Sequence, residues 1–213
     1  MDTRSAQAQN DAGPVTADVA VLQDGSLVRP VRGVRTADLD LARVTAWWSG
    51  FRHQLLERSQ ELHAVGPLLA DAVDAVDARL GEPRRPGDVF HAMATGFGSA
   101  PGIGTLLGAW FGEFARCCAD DVGTHELADA AWAGLMAVDR AGGPAAGAGE
   151  VVDAMTPAVK ALAGADLAGV PAVVALSAAY RAAADGARGT VADGVVDPGA
   201  LVVAWFFERG TVV

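Results

Sequence analysis

The sequence has little positive charge and almost no lysine. It contains 16 lysine and arginine residues against 26 aspartate and glutamate residues, which gives a formal net charge of −10 at pH 7, and Lys160 is the only lysine. Phosphate backbones would repel such an acidic surface, which argues against a nucleic-acid-binding role. We therefore expect no nucleic acid among the partners of this protein.

Long hydrophobic runs are also missing, although 51% of the residues are hydrophobic. No apolar stretch approaches the roughly 20 residues that a membrane-spanning helix needs, so we expect no membrane association. The N-terminal segment lacks the apolar middle of a signal peptide. These features predict a cytoplasmic protein, and the hydrophobic content suits one globular domain with a sizeable core.

Cysteine is limited to the neighbouring residues Cys117 and Cys118. Adjacent residues on a helix point in different directions, so this pair does not predict a disulfide framework. The sequence contains no Gly-x-Ser-x-Gly, Cys-x-x-Cys, His-Glu-x-x-His or Walker-type motif. The usual signatures of serine hydrolases, thiol redox proteins, zinc proteases and P-loop nucleotide-binding proteins are therefore absent.

What the sequence does contain is a series of helical patterns. The first runs from Thr36, a candidate cap, to Gly66, with Gly50 as a candidate break. Pro157 lies inside a later pattern and is expected to kink or restart that helix. The pattern predicts an all-α domain of about eight helices over residues 36–213. Glycine- and proline-containing loops separate the later predicted helices, which cover 68–80, 87–95, 104–119, 125–140, 150–164, 171–187 and 198–208.

Residues 1–35 follow a different pattern and form a separate region in our interpretation. The first 15 residues are polar and predict a flexible tail. Two apolar, β-branched stretches then flank Asp24-Gly25, a common two-residue hairpin signal. We therefore expect a small β-hairpin near 18–34, as an extension of the helical domain.

Three segments together resemble the DhaL family, the L subunit or nucleotide-binding domain of dihydroxyacetone kinases. GIGTLLGAWFGEFA at 102–115 is similar to a segment that opens one family helix. GEVVDAMTPAVKAL at 149–162 is similar to the family's Met-x-Asp-Ala-x-x-Pro-Ala segment, and VVDPGALVVAWFFE at 195–208 to its Asp-Pro-Gly-Ala motif. The resemblance covers about residues 38–208. It implies an eight-helix antiparallel barrel with a nucleotide held at one end.

The metal site of the family is where this sequence departs from it. In the family, two Mg²⁺ ions bridge the nucleotide phosphates to three aspartates of a Leu-Asp-x-x-Ile-Gly-Asp-x-Asp-His-Gly segment. An ungapped comparison places Glu57, Leu62 and Ala64 at the three ligand positions, and a one-residue shift instead places Glu61 and His63 at the last two. Because Mg²⁺ prefers octahedral oxygen ligands, neither register predicts the paired Mg²⁺ site.

Three interpretations of Glu57, Glu61 and His63 stay open. In the first, Glu57 and Glu61 are solvated helix residues and His63 packs near a helix end. In the second, the three form a mixed set that suits Zn²⁺, Mn²⁺ or Fe²⁺ better than paired Mg²⁺, and in the third they are metal-free acid/base groups. Asp153 and Asp197 lie in the matching motifs and are the other candidate acid/base residues. Asp197 is also a natural helix N-cap. We predict that no metal is bound.

The candidate ligand-binding residues lie near the glycine-rich loop and in two aromatic groups. TGFGSAPGIG corresponds to the serine-rich family loop that approaches the phosphates. Its backbone amides either bind an anion or simply form a tight loop. The tryptophans either surround a pocket at the open end of the barrel or pack in the core. The candidate residues are Trp47, Ser99, Gly102, Gly104, Thr105 and Trp110.

The scaffold motifs are retained while the metal and phosphate groups are lost, which predicts a repurposed DhaL-fold protein. We expect it to bind an apolar or aromatic small molecule in the barrel mouth. It would act without metal, ATP or another cofactor, as a cyclase, isomerase or lyase of specialised metabolism. The alternatives are a non-catalytic pseudo-kinase subunit and a phosphotransferase subunit that uses ATP/ADP with Mg²⁺ at an atypical metal site. The sequence leaves a homo-oligomer open.

Overall fold

The computed structural model describes residues 39–142, 148–192 and 194–213, all within the unit Thr36–Val213. Apart from one isolated bridge between Ala192 and Val195, the regular structure of this described part is helical, which confirms the all-α prediction. The predicted hairpin near 18–34 and the cap at Thr36 lie outside the described residues. The elements are α1 (Leu41–Glu57), a 3₁₀ helix (Ser59–Val65), α2 (Gly66–Leu80), α3 (Pro86–Gly98), α4 (Ile103–Cys117), α5 (Thr124–Gly142), α6 (Ala148–Leu167), α7 (Ala172–Gly189) and α8 (Pro198–Gly210).

Helix α1 begins after Asp40, whose side chain accepts a hydrogen bond from the Arg43 backbone N–H at 2.8 Å. This N-cap satisfies one of the amide groups that the first turn leaves without a partner. The helix then continues through Gly50, so the expectation of a break there is wrong. Gly50 instead lets Arg209 of α8 pack closely, since an added Cβ would lie 3.3 Å from the Arg209 Cδ.

Helix α6 is also continuous through Pro157, so the predicted restart does not occur. Proline removes the hydrogen bond to the carbonyl four residues earlier, which here belongs to Asp153. Gly186 of α7 lies against that freed carbonyl, because a Cβ at Gly186 would be 2.3 Å from the Asp153 oxygen and 3.0 Å from the Pro157 ring. The close approach of a residue without a side chain allows the two helices to pack across the proline.

The helices form a closed ring in chain order. Each helix packs on the next, and α8 returns to pack on α1. The last contact is antiparallel, because Trp47 lies near the end of α8 at Gly210 while Arg58 lies over Trp205, nearer the middle of that helix. The described residues therefore form the expected eight-helix barrel. None of the described helices is both long and apolar enough to cross a bilayer.

Aromatic side chains fill the interior of the ring. Phe206 of α8 lies at the centre, with its ring centroid 4.5 Å from Trp47 on α1 and 5.1 Å from Trp110 on α4. Helix α8 is buried on nearly every side. This burial explains why a segment whose residues favour β-strands is helical here. The other rings of the cluster, in contact with these or with one another, are Trp48, Phe51, Phe90, Phe97, Phe111, Phe114 and Phe207.

Candidate functional site

The starts of three helices converge at one end of the barrel. A Cβ added at Gly199, in the first turn of α8, would lie 2.5 Å from Ile103 at the start of α4 and 2.4 Å from Val151 near the start of α6. The connection between α1 and α2 reaches the same place, since residues 58–63 face residues 194–201 across a groove. This is the end at which the family resemblance places the nucleotide.

The α1–α2 connection is a 3₁₀ helix held in a tight fold. Gly66 begins α2 directly against the Ser59 carbonyl, and a Cβ at Gly66 would lie 2.3 Å from that oxygen. His63 has φ 48° and ψ −128°, and it is the one residue with a side chain and positive φ in the described chain. Gly81 and Gly102 have nearly the same angles, φ 51° with ψ −130° and φ 64° with ψ −121°. Because this conformation favours glycine, the backbone at His63 is strained.

His63 lies between two open surface grooves. The larger has a volume of about 630 Å³ and the smaller about 270 Å³, and His63 and Gln60 contribute to both. The larger, here called the His63 groove, has one polar wall and one mostly apolar wall. The polar wall consists of Arg58, Gln60, Glu61 and His63, and the apolar wall of Gly194, Val195, Val196 and Leu201.

The two glutamates of the α1–α2 region are both engaged with basic side chains. Glu57 lies beside His53, with 3.0 Å between Oε1 and Nε2, and both side chains are more than half exposed. Glu61 accepts two hydrogen bonds from Arg58, at 2.8 and 2.7 Å. This bidentate contact holds the pKa of Glu61 below its usual value. Arg58 in turn lies over the indole of Trp205, 4.5 Å from the ring centroid.

The donor set does not fit a pair of Mg²⁺ ions. Leu62 is completely buried and Ala64 is exposed, so two of the three positions aligned with family ligands offer no oxygen from their side chains. Glu57 contacts His53 and does not contribute to the His63 groove. Within the described residues, no group of three or more His, Cys, Asp and Glu side chains could hold a metal ion. The mixed set of Glu57, Glu61 and His63 is therefore not assembled either.

Two of the described histidines, His53 and His125, lie beside carboxylates, whereas the imidazoles of His63 and His91 do not. His53 pairs with Glu57, and His125 lies 3.0 Å from Asp166 and 3.5 Å from Asp129. His63 is exposed, and no residue in the described part of the chain makes a hydrogen bond or ion pair with its imidazole. A strained residue thus presents to both grooves an imidazole that has no partner among the described residues.

The two candidate aspartates lie outside the His63 groove. Asp197 is the N-cap of α8, where its Oδ1 accepts from the Ala200 backbone N–H at 2.8 Å. Its own backbone N–H donates to the Thr190 hydroxyl at 3.1 Å. Asp153 is exposed on α6, and its side chain has no hydrogen-bond partner among the described residues. The structure thus gives Asp197 a structural contact and brings neither residue next to His63.

The glycine-rich loop between α3 and α4 satisfies its polar side chains internally. The Ser99 hydroxyl donates to the Gly96 carbonyl at 2.6 Å, and the Thr105 hydroxyl donates to the Ala100 carbonyl at 3.2 Å. Gly104 packs closely, since an added Cβ would lie 2.7 Å from the Phe97 oxygen. The loop therefore has the geometry of a tight connection.

The two candidate tryptophans lie inside the barrel. Trp47 and Trp110 are each 1% exposed, and neither contributes to the His63 groove. The Trp47 indole N–H donates to the Phe206 carbonyl at 2.6 Å. The Trp110 indole N–H is buried against Gly134 of α5 and has no hydrogen-bond partner among the described residues.

The sequence did not indicate every residue of the His63 groove. Arg58, Gln60 and the apolar residues Val195, Val196 and Leu201 were not among the candidates. The apolar wall comes from a turn in which Ala192 and Val195 exchange backbone hydrogen bonds and Gly194 has φ 81°. The Asp-Gly pair at 193–194 is a turn signal in the sequence. No local sequence pattern indicates that this turn lies opposite residues 58–63 in the fold.

The model of a protein family described as the DAK2 domain matches residues 68–211. No curated protein matches the chain. The matched segment begins just after the 3₁₀ helix, so residues 59–65 lie outside it. The scaffold helices from α2 to α8 are therefore the part that the family model matches.

Proposed function

The chain belongs to the DAK2-domain family, which is the DhaL-type domain of dihydroxyacetone kinases, and on this premise we propose that it binds a small amphiphilic molecule in the His63 groove without metal or nucleotide. The observation that carries the proposal is the strained, exposed His63 in the polar wall of a groove whose other wall is apolar. Residues held in unfavourable backbone conformations are concentrated at functional sites. The groove lies at the barrel end that the family resemblance assigns to the nucleotide.

The two walls define the ligand. An apolar part of the ligand contacts Val195, Val196 and Leu201, and a polar part contacts His63 and Gln60. Arg58 is already bonded to Glu61, so it offers less attraction to an anion than a free arginine would. The volume of about 630 Å³ suits a single small molecule, since ligand pockets typically occupy about 300–1,000 Å³.

The chemistry we propose is proton transfer by His63. A histidine can act near neutral pH as a general base and then as a general acid. In an isomerisation, His63 removes a proton from one ligand atom and returns it to another. In an elimination, His63 removes a proton while the C–H electrons form a double bond, and the leaving group departs with the electrons of its own bond and takes up the proton. Neither reaction requires ATP. Arg58 stabilises the ionised form of Glu61 and compensates its charge, which leaves His63 as the proton-transfer group of the groove in this proposal. This supports an isomerase or lyase class over a kinase.

A fragment titration followed by NMR tests the proposal. The probes are a library of small carboxylic acids, amides and alcohols with aliphatic or aromatic tails, added to the ¹⁵N-labelled full chain. We expect saturable chemical-shift changes confined to residues 58–66 and 194–201. His63→Gly should raise the dissociation constant of the bound probe at least tenfold. His91→Ala is the matched control, because His91 is an exposed histidine on another groove. Saturable shifts that map only elsewhere, or an unchanged affinity in His63→Gly, would refute the assignment.

A second candidate function is a non-catalytic binding subunit. The filled aromatic interior supports it, because Phe206 and its neighbours occupy the space where an enclosed ligand would sit. A subunit of this kind would use the barrel as a rigid docking surface. The fragment titration distinguishes the two functions, since a non-catalytic subunit gives no saturable shift at His63 with any probe.

A further inference from the structure

Helix α5 carries an exposed apolar pair that no other described helix covers. Trp132 is 59% exposed and Met136 is 40% exposed, whereas the other four tryptophans are at most 3% exposed. The two residues are four positions apart, so they lie on the same face about 6 Å apart along the helix axis. A large exposed aromatic side chain beside a flexible methionine is typical of interaction surfaces. This face, with Asp129 and Arg140 at its ends, is called the α5 face below.

The charges at the ends of the α5 face are arranged for self-pairing. Asp129 lies three residues before Trp132, and Arg140 lies four residues after Met136. Because they are 11 residues apart, they differ by only about 20° around the helix and occupy the same edge of the face. Arg140 donates to its own helix at the Met136 carbonyl, and no carboxylate pairs with it among the described residues.

A two-fold axis perpendicular to α5 and level with Gly134 makes this face complementary to itself. Two antiparallel copies of α5 then place Trp132 of one copy against Met136 of the other. Asp129 lies five residues before the axis and Arg140 six residues after it, so each Asp129 faces the Arg140 of the other copy within about 1.5 Å along the helix. The symmetry keeps both residues on the same edge of the contact.

The remaining acidic residue on this face does not oppose the pairing. Asp139 lies about 80° around the helix from Asp129, on the opposite edge of the face. Asp129 does lie 3.5 Å from His125 of its own helix. A carboxylate has two oxygens and accepts from both a histidine and an arginine.

We propose that the α5 face is a homodimer interface, in which a second copy of the chain packs antiparallel through Trp132, Met136 and the Asp129–Arg140 pairs. The occupant is a second copy because the face supplies both the apolar partner and the countercharge that it needs. The contact is one helix wide, so the dimer is in rapid, concentration-dependent equilibrium with the monomer.

Sedimentation equilibrium over a wide concentration range tests the interface. We expect a monomer–dimer equilibrium whose dissociation constant rises at least tenfold in Trp132→Ala. Val174→Ala is the matched control, since Val174 is also exposed but lies on α7, and it should leave the constant unchanged. A chain that stays monomeric at about 1 mM, or a dimer unaffected by Trp132→Ala, overturns the proposal.

A charge exchange then tests the orientation. Arg140→Asp and Asp129→Arg should each weaken the dimer, because each places like charges across the two-fold axis. The double variant Asp129→Arg with Arg140→Asp should restore the dissociation constant to within about threefold of the original, with unchanged circular dichroism. Failure of the double variant to recover would contradict the antiparallel pairing.

Discussion

Two connections of the barrel adopt one backbone conformation but place different residues in it. Gly102 between α3 and α4 has φ 64° and ψ −121°, and His63 between α1 and α2 has φ 48° and ψ −128°. Glycine adopts these angles without a Cβ clash, whereas another residue is destabilised by about 1–3 kcal/mol. The α3–α4 connection therefore follows the local preference of the chain, and the α1–α2 connection does not. We attribute the difference to a role for the His63 side chain.

The two connections also differ in how their polar side chains are hydrogen-bonded. The hydroxyls of Ser99 and Thr105 donate back to the α3–α4 connection itself. In the α1–α2 connection, Arg58 and Glu61 pair with each other, while the imidazole of His63 has no partner in the described chain. The first connection is organised as scaffold, and the second presents an unsatisfied group to a groove.

The largest expected effect on stability comes from replacing Leu62 with aspartate, the residue that the family has at the aligned position. The side chain of Leu62 is completely buried, so Leu62→Asp would place a carboxylate in an apolar core. We expect a loss of more than about 3 kcal/mol in the free energy of unfolding, measured by urea denaturation. Ala64→Asp is the control at the neighbouring exposed ligand position and should change stability by less than about 0.5 kcal/mol. Equal stabilities of the two variants would show that Leu62 is not a core residue.

A reciprocal pair of substitutions probes the shared backbone conformation. Gly102→Ala should destabilise the fold by about 1–2 kcal/mol, although an added Cβ at Gly102 meets no atom within 4 Å, because the cost lies in the backbone angles. His63→Gly should raise the free energy of unfolding by about 1 kcal/mol, since it removes the same strain. Thermal and urea unfolding measure both.

Gly112→Ala is the matched control for this pair. Gly112 lies inside α4 and an added Cβ there also meets no atom within 4 Å, so the same substitution should stabilise by about 0.5–1 kcal/mol. If His63→Gly destabilises the protein, the strain assigned to His63 does not exist, and the contrast between the two connections disappears.

A smaller effect is expected from Arg58, which connects the α1–α2 connection to α8. Arg58→Ala removes the contact with Trp205 and the two hydrogen bonds to Glu61. We expect a loss of about 1 kcal/mol, because both contacts are partly solvated. Exposure of Trp205 should shift the tryptophan fluorescence to longer wavelength. Arg58→Lys keeps the charge and should lower the free energy of unfolding by less than Arg58→Ala does. An unshifted fluorescence spectrum in Arg58→Ala would show that Arg58 does not shield the indole.

The smallest expected effect is the pH dependence of stability contributed by His125. Unlike His63, this histidine has a carboxylate partner. The hydrogen bond to Asp166 raises the pKa of His125 above its usual value. The resulting stabilisation is complete below the unfolded pKa of about 6.5 and is lost as pH rises through the higher folded pKa. Because His125 is about half exposed, we expect less than about 0.5 kcal/mol. His125→Gln should remove this step from the stability–pH profile, and an identical profile would refute the assignment.

Most of the helical fold follows from the sequence, because its signals are local. Apolar spacing indicates the helices, and Asp197 caps α8 as the sequence suggests, whereas α1 begins after Asp40 and not at Thr36. The expected break at Gly50 and the restart at Pro157 do not occur, for a non-local reason. At Gly50 and Pro157, a neighbouring helix supplies the compensating contact, from Arg209 and Gly186 respectively. Such contacts between distant segments leave no periodic trace in the sequence.

The candidate site was less predictable for the same reason. Helical periodicity does not reveal that the 3₁₀ helix turns Leu62 inward and His63 outward, with a backbone conformation that normally requires glycine. Residues 194–201 are more than 130 positions away from His63, and only folding brings them to the opposite wall. The roles proposed for Glu57, Glu61, Asp153 and Asp197 remain predictions, to be tested with the ligand that the groove selects.

The most direct test of the central claim, that the family barrel is kept without its metal–nucleotide site, is a calorimetric titration of the full chain with ADP in excess Mg²⁺. In neither register do the aligned residues, among those described, assemble a carboxylate group that could hold the two ions, so we predict no saturable heat. A saturable, stoichiometric heat that disappears when Mg²⁺ is removed would contradict the account and restore a nucleotide function to this end of the barrel.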